Sequence, residues 1–223
     1  MSRRGGSRPP SRGIIVLAGE SSNDRRLLAS FIRANHPELL ATATMTEITD
    51  QVRLRKKTGP ELAHAADTLV RKARGKAKLK SGPFVGIAVH EDMDAPTGPD
   101  YTAVRQAVSA ALCRAATPSS AVYALAAAES EAWLLLFPDA FPLHRPAWRV
   151  PAQWRGRDTG RRSKPKEDLE AEFRQPPFRE SDGPEIVKKA LDQGMLSAPC
   201  GTNRSYTDFI ADLAAWQVPG RRH

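Results

Sequence analysis

Two rhythms of hydrophobic positions alternate along the first 137 residues. Short, continuous apolar runs recur between stretches in which apolar residues return every three or four positions. "GIIVLAG" (13–19) is apolar, β-branched and followed by polar residues, the pattern of a strand buried on both faces of a parallel sheet. "NDRRLLASFIRANHP" (23–37) predicts a helix. Leu27, Leu28, Phe31 and Ile32 form its apolar stripe, Ser22 or Asn23 can cap it, and Pro37 ends it.

The alternation continues. "LLATATMTEI" (39–48) is expected to be a second, weaker strand, and "PELAHAADTLVRKARG" (60–75) a helix with Leu62, Ala66, Leu69 and Val70 turned inward. "PFVGIAVH" (83–90) is the clearest strand after the first. A helix over 100–116 follows, with Val104, Val108, Ala111 and Leu112 at helical spacing, and then a strand over 120–128. Strands alternating with helices imply an α/β fold, a Rossmann-like, mainly parallel central sheet flanked by helices with right-handed crossovers.

After residue 137 the rhythm breaks. Residues 137–166 are rich in Pro, Arg and Trp and sustain no period, and three short helices are expected around "KEDLEAEFR", "PEIVKKALDQ" and "SYTDFIADLAAW". In the last, Phe209, Ile210, Leu213 and Trp216 form the packing face. The organisation read here is a flexible basic tail (1–12), an α/β core (13–137) and a basic, then helical, C-terminal extension (138–223) packed on the core. No internal repeat is seen.

Composition narrows the partners. Lys and Arg outnumber Asp and Glu by 34 to 25, a net charge of +9 over 223 residues, which favours an anionic partner such as nucleic acid. The two cysteines, Cys113 and Cys200, form no C-x-x-C pair and no disulfide framework, which suits a reducing, cytoplasmic setting. The longest apolar runs fall far short of the roughly 20 residues of a membrane-spanning helix, so no membrane role is expected.

Candidate chemistry gathers where strands end. Ligands of open α/β sheets bind outside the carboxyl ends of the strands. Glu20 follows the first strand, Asp92 and Asp94 the strand over 83–90, and Glu129 and Glu131 the strand over 120–128. Carboxylates this close repel one another, and in extended chain a D-x-D pair points the same way, about 6.5 Å apart. Two such groups can share a hard divalent cation, since Mg²⁺ takes oxygen ligands and keeps several waters. A solvated turn whose Asp residues cap the next helix is the alternative for "HEDMDAP" alone. His90 and Glu91 are read as bystanders, because Mg²⁺ prefers oxygen and a histidine at a strand end is commonly just hydrogen-bonded.

These segments resemble a known family. "GESSNDRRLL" is similar to the E-G-x-x-D/E segment that opens Toprim domains, the metal-binding module of topoisomerases, primases and overcoming-lysogenization-defect nucleases, and "EDMD" is similar to their D-x-D. The resemblance sets Glu20 at the family's glutamate, Asp24 at the acidic position four later, and Asp92 and Asp94 at the aspartate pair; the family's glycine is Ser21 here. "ESEAWLLLF" resembles a segment of uncharacterised bacterial Toprim-like proteins often associated with ATPase partners. The match spans roughly residues 13–137. It implies a Toprim-like core in which Glu20, Asp92 and Asp94 hold Mg²⁺ or Mn²⁺, Glu20 or Glu131 serving as further ligand or in catalysis. The implied activity is metal-dependent hydrolysis of DNA or RNA phosphodiesters, as the effector of an anti-phage defence-type system with an ATPase partner.

Two basic stretches frame the acidic residues in sequence. "RLRKK" with "RKARGKAKLK" is the first. The second supplies Arg155, Arg157, Arg161, Arg162, Lys164 and Lys166 as candidate phosphate contacts, with Trp148 and Trp154 able either to stack on unpaired bases or to pack internally. A different class of function, a non-catalytic nucleic-acid-binding or partner-regulating subunit, stays open, with Ser21 its main support. Nucleotidyl transfer lacks a G-x-x-x-x-G-K-[S/T] phosphate loop. Whether the chain forms a homo-oligomer is left open.

Overall fold

A computed structural model describes residues 12–216. Four parallel strands form one sheet in the order β2-β1-β3-β4. In chain order the elements are β1 (Gly13–Ala18), α1 (Ser22–Asn35), α2 (Pro37–Thr42), β2 (Ala43–Glu47), α3 (Gly59–Leu79), β3 (Phe84–Asp92), α4 (Pro99–Ala116) and β4 (Ser120–Ala126). Then come two short helices, α5 (Glu131–Leu134) and α6 (Phe141–His144), and three longer ones, α7 (Pro165–Glu172), α8 (Asp182–Asp192) and α9 (Arg204–Ala214). The α/β architecture expected from the two rhythms is therefore the one formed. The basic-tail reading falls on residues outside the described ones, except for Arg12, whose Nη2 donates to Leu40 O at 2.7 Å.

The β1, β3 and β4 strands are apolar on both sides because both sides are covered. Ile15, Leu17, Ala88, Val122 and Ala124 face one core with α1, α8 and α9; Ile14, Val16, Ile87, Val89, Tyr123 and Leu125 face the other with α3 and α4. Chain order reverses between β1, whose crossover runs outward to β2, and β3, which returns on its other side. The carboxyl ends of β1 and β3 thus flank the crevice where ligands of such sheets bind.

Part of the strand expected over 39–48 is helix. Pro37 occupies the first turn of α2, and the chain becomes extended at Ala43. A proline fixed near helical φ favours that turn, and Leu39 is buried from it. The β3 strand runs two residues further than its apolar pattern, through Glu91 to Asp92, which pairs with Ala126.

The C-terminal extension shares the first core. The indole of Trp133 stacks on Phe209 at 5.6 Å and meets Phe31 and Tyr206 edge-on. Ser205 Oγ accepts from Trp133 Nε1 at 2.9 Å and from Ala127 N–H at 3.0 Å, tying the start of α9 to the end of β4. Trp148 is fully buried and stacks on Phe173 at 5.0 Å. Trp154 lies under the Arg162 guanidinium, 4.2 Å from the ring centroid. No helix among the described residues is long and apolar enough to cross a membrane, and both cysteines are free.

Candidate metal centre

The carboxyl ends of β1, β3 and β4 open into one cleft of about 230 Å³, lined among others by Glu20, Asp24, Asp92, Asp94, Glu129 and Glu131. Each carboxylate expected at the site reaches it, by a different local device.

The β1–α1 turn places Glu20 and Asp24. Ser21 caps α1, its Oγ accepting from the amides of Asn23 at 3.1 Å and Asp24 at 3.3 Å, while Asp24 Oδ2 accepts from Ser21 N–H at 2.7 Å. This reciprocal capping box satisfies helix donors that would otherwise be orphaned. Ser21 is extended, with φ −131° and ψ 172°, so the position needs no glycine. Close approach is required instead at Gly19, where a Cβ would lie 2.8 Å from that of Asp24.

The D-x-D pair departs from the expected extended geometry. Asp92 ends the strand, facing the α1 side, and its Oδ1 accepts from Ser130 N–H at 2.9 Å. Asp94 lies in a left-handed turn with φ 58°, a conformation that Asp tolerates better than most residues. Its N–H donates to Ala128 O at 2.9 Å. The two carboxylates therefore share the cleft through a turn rather than through the pleat. Asp94 is 64% exposed and ion-paired with Arg55.

Burial and mutual repulsion dominate the electrostatics. Withdrawal from water pushes the Asp92 carboxyl well above its ordinary range, and Asp24, Glu20 and Glu129 push it further; the Ser130 amide opposes them. Glu131 is raised to about 7, chiefly by burial and then by Asp92. Glu129 is raised by burial, against the Lys166 N–H that it accepts at 3.1 Å.

His90 and Glu91, read as bystanders, occupy opposite faces of β3 and have distinct places. Glu91 is fully buried on the α3 side and accepts from the amides of Leu54 at 3.1 Å and Arg55 at 3.2 Å and from the Tyr123 hydroxyl at 3.0 Å. It anchors the loop before α3. His90 is fully buried on the α1 side, Nδ1 3.7 Å from Asp24 Oδ1 and Nε2 3.9 Å from Asp92 Oδ1, with neither nitrogen hydrogen-bonded among the described residues. Strand parity would have put His90 beside Asp92 had β3 been extended to its true end.

Of the six basic candidates, Lys166 lines the cleft and the other five do not. Lys166 pairs with Glu180, Arg155 with Asp139, Arg161 with Asp158, and Arg162 with Asp168. Arg157 Nε donates to Gln153 O at 3.4 Å, and Lys164 precedes α7 as its N-cap. The 155–166 strip is thus largely partnered, although exposed pairs of this kind contribute little and exchange readily.

The donor set fits a hard divalent cation. It consists of carboxylate oxygens, several are recessed from water, and among the described residues neither Lys nor Arg bonds to Asp92. The fit lies in donor chemistry rather than in a finished cage: among the described residues no group of three or more His, Cys, Asp or Glu stands gathered around one metal position. No protein-family model, curated protein or solved structure matches the chain.

Proposed function

We propose that this chain is a Mg²⁺- or Mn²⁺-dependent phosphodiester hydrolase, a nuclease acting on DNA or RNA. The observation that carries the reading is Asp92, a recessed carboxylate at the β1/β3 crevice crowded by Asp24, Glu20 and Glu129, to which no lysine or arginine among the described residues is bonded. Such a group is costly to ionise unless a cation joins it.

Asp92, Glu20 and Asp94 are the residues that would hold the ion. Bound there, a divalent cation supplies charge neutralisation at phosphoryl oxygens and activation of water. Glu131 lines the cleft beside these carboxylates, its own carboxyl raised to about 7 in the metal-free protein by burial and by Asp92, and can accept or release a proton there. Lys166 brings an ammonium to the cleft wall, where it can exchange Glu180 for a phosphate oxygen. Arg155, Arg157, Arg161, Arg162 and Lys164 can make the same kind of exchange along a backbone outside the cleft. An ATPase partner, a role in phage defence and a cytoplasmic location rest on the Toprim resemblance and the composition alone.

Purified full-length protein should cleave DNA or RNA with Mg²⁺ or Mn²⁺, and Asp92→Ala should abolish cleavage. Robust cleavage by that variant, or in excess EDTA, would overturn the assignment. A second reading, a non-catalytic nucleic-acid-binding or partner-regulating subunit, is favoured by the Arg55–Asp94 pair, which already neutralises one expected ligand. Nucleic-acid binding with a steep salt dependence and no metal-dependent cleavage would support it.

A further inference from the structure

Asp94 lines the cleft and Arg55 pairs with it from outside the lining, on backbones that are both fixed. The Arg55 N–H donates to the buried Glu91 carboxylate at 3.2 Å, and its Nη1 donates to Met93 O at 2.9 Å. The Asp94 N–H is bonded to Ala128 O, and Ala128 N–H returns to Ala95 O at 2.6 Å. What can still change is side-chain rotation, above all that of Asp94. Its carboxylate stands at a boundary, lining the cleft with Asp92 and Glu20 while Arg55 Nη2 donates to it at the rim.

The two members of the pair differ in setting. The Arg55 side chain is only 13% exposed, and its Nε is buried with no hydrogen-bond partner among the described residues. The guanidinium is therefore packed in place but incompletely bonded, and it would retain the Met93 carbonyl if it lost Asp94.

We propose that Arg55 is the resident counter-cation of Asp94, and that a divalent ion entering the cleft competes with it for that carboxylate. This rests on the metal-site reading above. A divalent ion offers twice the charge and engages several carboxylates at once, whereas Arg55 reaches Asp94 alone. Once displaced, half of the guanidinium fork faces the cleft rim. There a phosphate oxygen is an equivalent partner, because guanidinium geometry suits carboxylate and phosphate alike. Arg55 is thus a positioning residue that opposes empty-site repulsion before the metal arrives.

Mn²⁺ titration of the full-length protein, following free Mn²⁺ by electron paramagnetic resonance, tests this. Arg55→Ala should bind Mn²⁺ more tightly than wild type, by roughly two- to five-fold, the range of a partly exposed ion pair. A structural lesion would not produce a gain. Arg55→Gln, which keeps a donor for Met93 O without the charge, should show the same gain if the alanine variant folds poorly. Asp94→Asn should bind more weakly, and adding Arg55→Ala to it should bring no gain. If wild type binds Mn²⁺ and Asp92→Asn loses it, yet both Arg55 variants match wild type or fall below it, the Arg55 proposal is overturned and the metal reading stands. If wild type binds no Mn²⁺, both are overturned.

Discussion

His90 Nε2 lies 3.9 Å from Asp92 Oδ1, on a fully buried ring that meets Trp133 edge-on at 5.7 Å. On its other side Nδ1 lies 3.7 Å from Asp24 Oδ1. The imidazole therefore separates two carboxylates of the cleft that burial would otherwise leave facing each other. In either tautomer one ring nitrogen carries a proton, and a small rotation of Asp92 or Asp24 brings it within hydrogen-bonding distance. The indole that holds the ring in place is itself fixed by Ser205. A chain of contacts thus runs from the C-terminal extension through Trp133 and His90 to the proposed ligand.

His90→Phe keeps the ring and its packing against Trp133 but removes both nitrogens. Outer-shell partners of metal ligands typically influence affinity by roughly ten-fold or more. The variant should unfold at nearly the wild-type denaturant concentration and bind Mn²⁺ about ten-fold more weakly. Unchanged Mn²⁺ affinity in a folded variant would show that His90 only fills space.

Glu91 belongs to stability rather than to the site. Replacing it by Ala leaves the Leu54 and Arg55 amides and the Tyr123 hydroxyl without their acceptor, at a cost of about 1–3 kcal/mol for a buried orphaned donor. Glu91→Ala should therefore destabilise the fold by about 3 kcal/mol in urea unfolding, and Tyr123→Phe by about 1 kcal/mol. Equal effects from the two substitutions would contradict the anchoring role of the carboxylate.

Much of this arrangement was legible in the sequence because it follows from local periodicity. The apolar runs of β1 and β3 and the stripe of Leu27, Leu28, Phe31 and Ile32 define both layers, and the acidic residues just beyond the strands define the cleft. What could not be read depends on partners distant in the chain. Glu91 has the composition of a surface charge, and only the loop amides of Leu54 and Arg55 make it a buried acceptor. The arginines after residue 154 read as a free basic strip, whereas Asp139, Asp158 and Asp168 fold back onto them. The left-handed turn at Asp94 is likewise set by the Ala128 carbonyl of the neighbouring strand's loop.

Ser205 should bind the extension to the core energetically as well as geometrically. Ser205→Ala leaves Trp133 Nε1 and the Ala127 amide unsatisfied inside the core, which costs about 1–3 kcal/mol per group. Urea unfolding followed by tryptophan fluorescence and by circular dichroism should shift together to lower midpoint, as one transition. Two separated transitions would mean that α9 unfolds independently of the sheet.

Glu131 gives the metal-free protein a pH dependence of definite sign. Its carboxyl, ordinarily near 4.5, is raised to about 7 by burial and by Asp92, so between those values the folded state holds a proton that the unfolded chain has lost. The stabilisation is complete below pH 4.5 and disappears as pH rises through 7. Asp92 and Glu129 are raised in the same direction, so the contributions reinforce one another. In EDTA, the unfolding free energy of wild type should fall from pH 5 to pH 8, and Glu131→Gln should remove about 2–3 kcal/mol of that fall. Because a cation binds the ionised carboxylates, Mg²⁺ should restore more stability at pH 8 than at pH 5. Denaturant titrations at several pH values, with EDTA and with Mg²⁺, measure both effects. Parallel pH profiles for wild type and Glu131→Gln would sink the assignment of Glu131 as the group titrating near neutrality.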